Sequence, residues 1–170
     1  MDLLPLMKER YSVRRYAQIP VEEEKLRLVL EAARLAPTAR NMQPFHIYVV
    51  ESGENLEKLR TLTPCAFNAP VVLMFCGVEK ASAHSALDGR SWAQMDTTIA
   101  LTHAVLEAQS LGLGTCIVGW YDKDAVHNAF NLPEEETVWA LLPLGYAAED
   151  ALPSGAHETR KPMETLVTRL

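Results

Sequence analysis

The chain has 170 residues, 48% of them apolar and 22% charged, which suits one domain with a sizeable core. A net charge of −6 without a long Lys/Arg-rich run argues against nonspecific nucleic-acid binding. The longest apolar run, residues 69–78, is about half the length of a membrane span. The opening Met1-Asp2-Leu3-Leu4-Pro5 has neither the basic region nor the cleavage site of a signal peptide, so a cytoplasmic protein is expected.

Leu3, Leu6 and Met7 sit at helical spacing and predict a short amphipathic helix over 3–9. A second helix is expected from Ile19-Pro20, with proline in its first turn and Glu22, Glu23 and Glu24 at the positive end of its dipole. Leu26, Val29, Leu30 and Ala33 give it a core face, and Pro37 stops it. Residues 37–44 form a turn bracketed by prolines. Residues 45–50 alternate and are rich in β-branched side chains, which predicts a strand.

A helix is expected over 54–62, with Leu56 and Leu59 inward, then a loop over 63–69. Residues 71–77 are apolar on both faces, as in a central strand. Residues 79–90 read as a mobile loop. The longest helix is expected from Ser91 to about Leu113. Met95, Ile99, Thr102, Leu106 and Ser110 mark one side of it, and Trp92, Ala100, His103 and Ala104 widen the buried stripe. His103 reads as a core histidine and Asp96 as an exposed helical carboxylate, with a buried hydrogen-bonding role as the alternative.

Gly112 and Gly114 suggest a helix C-cap leading into an apolar, strand-like run. This order, helix before glycines, is the reverse of a dinucleotide fingerprint. Asp122 caps a short helix with Val126 and Phe130 inward, and 137–144 form another strand. The polar tail over 148–158 is expected to wrap the surface. Cys65, Cys76 and Cys116 are odd in number and widely spaced, so they read as buried thiols in a reducing compartment. His46, His84, His103, His127 and His157 lack metal-ligand spacing.

The chemistry is concentrated near the N-terminus. Arg10, Ser12 and Arg14 alternate, so in an extended segment all three point to one side. Two guanidiniums and a hydroxyl converging in this way suit a phosphate dianion, because the arginine fork pairs bidentately with phosphate oxygens. The turn that follows carries Thr38, Asn41 and Gln43 and can present backbone amides to a ligand. No Gly-x-Ser-x-Gly elbow, Cys/His pair or carboxylate pair is evident.

Four pieces agree in order and spacing: Arg10-Tyr11-Ser12-Val13-Arg14-Arg15-Tyr16, Pro20-Val21 through Glu31-Ala32-Ala33-Arg34, Pro37-Thr38-Ala39, and Asn41-Met42-Gln43-Pro44-Phe45. With Gly112 to Gly119, Gly145-Tyr146 and the closing Arg160-Lys161-Pro162, the chain resembles the nitroreductase family of FMN-dependent oxidoreductases. It departs in Ile117, where tryptophan is frequent, and in Ala147, where proline is usual.

The resemblance implies an α+β nitroreductase-like fold, a central mixed β-sheet flanked by helices, in an interlocked homodimer. It implies FMN at the subunit interface. Arg10, Arg14 and Arg160 would neutralise the phosphate and Ser12 would donate to it, with Tyr11 and Lys161 also among the cofactor-binding residues. Val118, Gly119 and Trp120 of one subunit, and Pro37, Thr38, Ala39, Asn41 and Gln43 of the other, would flank the ring. NADH or NADPH would deliver hydride to flavin N5, and an electron-poor acceptor such as a nitroaromatic or a quinone would then be reduced. No catalytic side chain and no metal are implied. The same fold could instead serve an enone reductase, a dehalogenase or a flavin-fragmenting enzyme. A flavin-binding protein without turnover is the non-enzymatic alternative.

Overall fold

The computed structural model describes residues 2–170. Its strands are β1 (Phe45–Val50), β2 (Val71–Val78), β3 (Gly114–Thr115) and β4 (Glu136–Gly145). They form one sheet in the order β1-β2-β4-β3. The helices are α1 (Leu3–Glu9), α2 (Glu23–Arg34), α3 (Gly53–Leu62), α4 (Ala93–Ser110), α5 (Lys123–Ala129) and α6 (Met163–Leu166).

All three pairings between these strands are antiparallel. The mixed sheet expected from the resemblance survives only as a parallel bridge between Ser12 and Thr115. The architecture is α+β.

The sheet separates two apolar layers, and the strand period of two decides which residue enters which layer. Val71, Leu73 and Phe75 face Leu26, Val29 and Ala33 of α2 and Ala100, Leu101, Ala104 and Val105 of α4. Val72, Met74 and Cys76 face the other way, toward Leu56 and Leu59 of α3 and Val126 of α5. In β4 the alternation breaks. Phe75 pairs with Ala140 but Cys76 with Val138, so Trp139 is the extra residue of a bulge. Val138 and Leu141, three residues apart, therefore reach the same layer. The indole of Trp139 lies over Gly77, where a Cβ would collide with it.

Local chemistry explains most of the ends. Ser52 accepts the Asn55 N–H at the start of α3, and Asp122 accepts those of Asp124 and Ala125 at the start of α5. Gly112, with φ of +75°, turns the chain after α4, and the Leu113 N–H closes back on Ala108 O at 2.8 Å.

Three expectations need correction. Helix α2 begins at Glu23 with Glu22 as its cap, so Pro20 precedes it rather than occupying its first turn. Residues 79–90 carry a 3-10 turn over Glu79–Ala81 and an antiparallel bridge from His84 to Ser91. Within α4 the covered face is Ala93, Asp96, Thr97, Ala100, Leu101, Ala104, Val105 and Ala108. His103 and Thr102 are exposed, Met95 is half-exposed, and Asp96 is buried. The sequence contains two apolar stripes on this helix, and the chain itself covers the one built mainly of alanines with Leu101 and Val105.

Candidate functional site

Arg10 ends α1, with its N–H on Leu6 O at 3.1 Å, and from there the chain runs extended beside β3. The Val13 N–H donates to Thr115 O at 2.9 Å. Val13 is buried, pointing into the core. The alternation then turns Arg10, Ser12 and Arg14 to the opposite side. Arg15 leaves this set and pairs with Asp150 at 2.6 Å.

Arg10, Tyr11, Ser12 and Arg14 line a cavity of about 170 Å³, closed by Ser154, Ala156, His157 and Arg160 of the tail. The tail is tied down there. Tyr11 donates to Ala151 O at 3.2 Å, its ring meets that of His157 edge-on at 6.1 Å, and the Ala148 N–H donates to Arg15 O. The Arg160 guanidinium donates to His157 O and Thr159 O. Three guanidiniums and a hydroxyl around a small cavity are the donor set a phosphate dianion needs. Lys161 is exposed and lies outside the cavity lining. Ser154, Ala156 and His157 were missed by the sequence reading, and no motif marks them.

The glycine segment lies next to this cavity through the Ser12–Thr115 bridge. Gly114 permits that approach: a Cβ there would stand 2.5 Å from Val13 Cγ2. Val118 is buried and exchanges backbone hydrogen bonds with Leu141 at 2.9 and 3.0 Å. Gly119 and Trp120 then emerge. Trp120 is 79% exposed, its carbonyl accepting from Thr63 Oγ1 at 2.8 Å, and nothing stands within 4 Å of where a Gly119 Cβ would be. Burial pushes the Cys116 thiol up, opposed by the nearby Arg14 and by a hydrogen bond from Ser12.

The proline turn lies apart from this cavity. Pro37, Thr38 and Ala39 line a different one, of about 250 Å³, with Trp92, Met95, Asp96 and Ile99. Asn41 and Gln43 are exposed and line neither. The turn holds three non-glycine residues at positive φ, Arg40, Asn41 and Gln43, and the buried Asp96 accepts the Ala39 N–H at 3.0 Å. Within one chain, then, the arginine motif, the tail and the glycine segment come together, and the proline turn does not join them.

Among the described residues, no helix is long and apolar enough to cross a membrane, and no group of three or more His, Cys, Asp or Glu side chains could hold a metal ion.

The chain is similar to an NADH dehydrogenase of Thermus thermophilus, at 32% identity over 98% of this chain and 95% of the relative. In solved structures it is similar to a nitroreductase family protein of Clostridium difficile 630, with a TM-score of 0.92 and 32% identity over 99% of this chain and 98% of that one. It shares its fold with an Exiguobacterium sibiricum protein solved in complex with FMN, with a TM-score of 0.85 and 22% identity over 100% of this chain and 98% of that one. The nitroreductase family model matches residues 7–66 and 61–146, and the chain belongs to that family.

Proposed function

We propose that the protein is an FMN-dependent oxidoreductase that draws hydride from NADH or NADPH and reduces electron-poor acceptors such as nitroaromatics or quinones. The observation that carries the reading is the gathering of Arg10, Ser12, Arg14 and Arg160 around one phosphate-sized cavity beside the glycine segment. The FMN bound by the Exiguobacterium protein and the name of the Thermus relative support the cofactor and the donor.

The roles of the residues follow from their chemistry. Arg10, Arg14 and Arg160 neutralise a phosphate that carries close to two negative charges, each well-formed bond contributing about 1.5–3 kcal/mol. Ser12 donates a further hydrogen bond. Val118 and Gly119 offer a flat backbone with no side chain rising above Gly119, which suits a planar ring. FMN held there would supply the redox chemistry. The protein's part is to bind, orient and shield. Because the flavin would carry the redox chemistry, this scheme needs no catalytic side chain.

The working unit in this reading is a homodimer, with the Pro37–Ala39 turn of one subunit closing the ring site of the other. Two features support it. The turn and the arginine cavity share no lining residue within one chain. Helix α4 also leaves an uncovered stripe in which Met95 is 50% exposed and Ile99 and Leu106 are only partly covered. Such a stripe calls for a second surface.

The visible absorption spectrum of the purified protein, before and after NADH or NADPH under anaerobic conditions, tests this directly. Flavin bands that bleach on addition are expected. A colourless protein that takes up no added FMN overturns the reading.

A further inference from the structure

The turn between α2 and β1 is held in a conformation its residues disfavour. Arg40, Asn41 and Gln43 have φ of +53°, +55° and +52°, the left-handed region in which a Cβ crowds the backbone. Backbone strain of this kind persists only where the surroundings over-determine it, and it concentrates at functional sites.

Most of the bonds that hold the turn are its own. The Asn41 N–H donates to Thr38 O at 2.9 Å and the Met42 N–H to Ala39 O at 3.1 Å. The Gln43 N–H donates to Thr38 Oγ1, and Gln43 Nε2 to Asn41 O, both at 3.0 Å. Among the described residues, one side chain from outside bonds to it: Asp96, whose Oδ1 accepts the Ala39 N–H at 3.0 Å. This bond pins the turn at the residue just before the strained Arg40.

Asp96 is an expensive residue to use as a tether. It is 2% exposed, belongs to none of the ion pairs among the described residues, and its second oxygen, Oδ2, is buried without a partner. A buried carboxyl group with an idle oxygen is costly. Its place in the first turn of α4 offsets part of that cost through the helix dipole. Asp96 also stands in the wall of the cavity formed by Pro37, Thr38 and Ala39, so the group that fixes the turn is part of the surface the turn presents.

We propose that Asp96 is a positioning residue that holds the Pro37–Ala39 turn in the shape that receives the flavin ring. The inference rests on the flavin reading above for the identity of the ligand. The hydrogen bond to Ala39 itself does not depend on that reading.

The test compares Asp96→Ala, Asp96→Asn and an Arg10→Ala/Arg14→Ala double variant in the full-length protein stripped of flavin. Hydrogen exchange of the Ala39 amide, thermal unfolding, and the Kd values of FMN and riboflavin are measured for each. In Asp96→Ala the Ala39 amide exchanges roughly tenfold faster or more, the amount one well-placed bond to a carboxylate accounts for, while unfolding stays cooperative. FMN and riboflavin weaken by the same factor, because the turn meets the ring and not the phosphate. Asp96→Asn keeps an acceptor oxygen and restores both readouts. Should Asp96→Ala fail to unfold cooperatively, Asp96→Leu, of similar size but with no acceptor, gives the same comparison.

Unchanged Ala39 exchange in the variant lacking the acceptor overturns the proposal, as does weakened FMN binding with riboflavin spared. The double arginine variant separates the two ideas: it loses FMN selectively over riboflavin if the flavin reading holds. If the wild-type protein binds neither flavin, that reading fails, and Ala39 exchange alone still decides whether Asp96 holds the turn.

Discussion

Ser12 and Thr115 form a parallel bridge, and through it the arginine motif and the glycine segment, a hundred residues apart in the chain, become one surface. The bridge depends on the missing side chain at Gly114, where a Cβ would stand 2.5 Å from Val13 Cγ2 and 2.9 Å from Val13 Cβ. Gly114→Ala should push the two segments apart and destabilise the protein by about 1–3 kcal/mol, a fall in Tm of roughly 2–4 °C per kcal/mol for a chain of this size. Val13→Ala should be additive with a distant mutation but not with Gly114→Ala, since it removes Cγ2, the atom the new methyl strikes most closely, and leaves only the Cβ contact. Differential scanning calorimetry of the single and double variants checks this. Strict additivity would show that the close approach does not matter.

The arginines should not contribute equally to phosphate binding. Arg10 and Arg14 lie on the extended segment, Arg14 with a single long bond to Ser12 O at 3.4 Å, whereas Arg160 donates to both His157 O and Thr159 O. Replacing Arg10 or Arg14 with alanine should weaken FMN by about 1.5–3 kcal/mol, or roughly ten- to a hundredfold in Kd. Arg160→Ala should cost less, because its guanidinium must first leave those carbonyls. Lys161→Ala, outside the cavity lining, should leave Kd nearly unchanged. Flavin fluorescence titration ranks the four variants, and a large loss at Lys161 would mean that the tail adopts a different course in the complex.

Elements whose signal lies in neighbouring residues were legible in the sequence. The 3–9 helix, the 45–50 strand and the Asp122 cap stand where periodicity and capping chemistry put them. What periodicity could not supply was the identity of the covering surface. Met95, Ile99 and Leu106 form as good a helical stripe as Ala93, Ala100 and Ala104, yet only the second faces this chain's own sheet. His103 was misread for that reason, and for Asp96 the buried hydrogen-bonding alternative is the one that holds. The Trp139 bulge was illegible because an extra strand residue leaves no mark until the partner strand is known. The tail residues Ser154 and His157 reach the arginine cavity through contacts between the two ends of the chain, which no local pattern encodes.

The uncovered stripe on α4 yields a prediction about assembly. Met95 is 50% exposed and lines the same cavity as the proline turn, as does Ile99. If this face meets a second subunit, burying each side chain contributes about 1.5–3 kcal/mol. Met95→Asp combined with Ile99→Asp should then weaken dimerisation by on the order of a hundredfold or more. Flavin content should fall with it, because the turn of one subunit serves the cavity of the other. Sedimentation velocity with simultaneous flavin absorbance reads both quantities. A variant that stays dimeric and keeps its flavin would place the interface elsewhere.

Stability should decline on the alkaline side for a reason visible in the core. Burial is the largest cause pushing the Cys76 thiol from its ordinary 9.0 up to about 12, with the nearby Glu136 carboxylate adding to it. Burial likewise raises the hydroxyls of Tyr16, Tyr48 and Tyr121, with the hydrogen bond to Glu136 adding to it for Tyr48. Each folded-state pKa lies above its unfolded value, so between the two the unfolded chain has released a proton that the folded chain retains. The unfolded state therefore binds fewer protons and stability falls as pH rises. The contribution of Cys76 is complete below pH 9 and is lost between about pH 9 and 12, at about 1.4 kcal/mol per pH unit within that window. Urea unfolding at pH 8, 9 and 10 should show this decline, and Cys76→Ala should reduce its slope by the share of one group while lowering stability at pH 8 through the cavity it leaves. An unchanged slope in Cys76→Ala would show that the thiol does not titrate differently in the two states, leaving Cys116 and the tyrosines as the source of the alkaline loss.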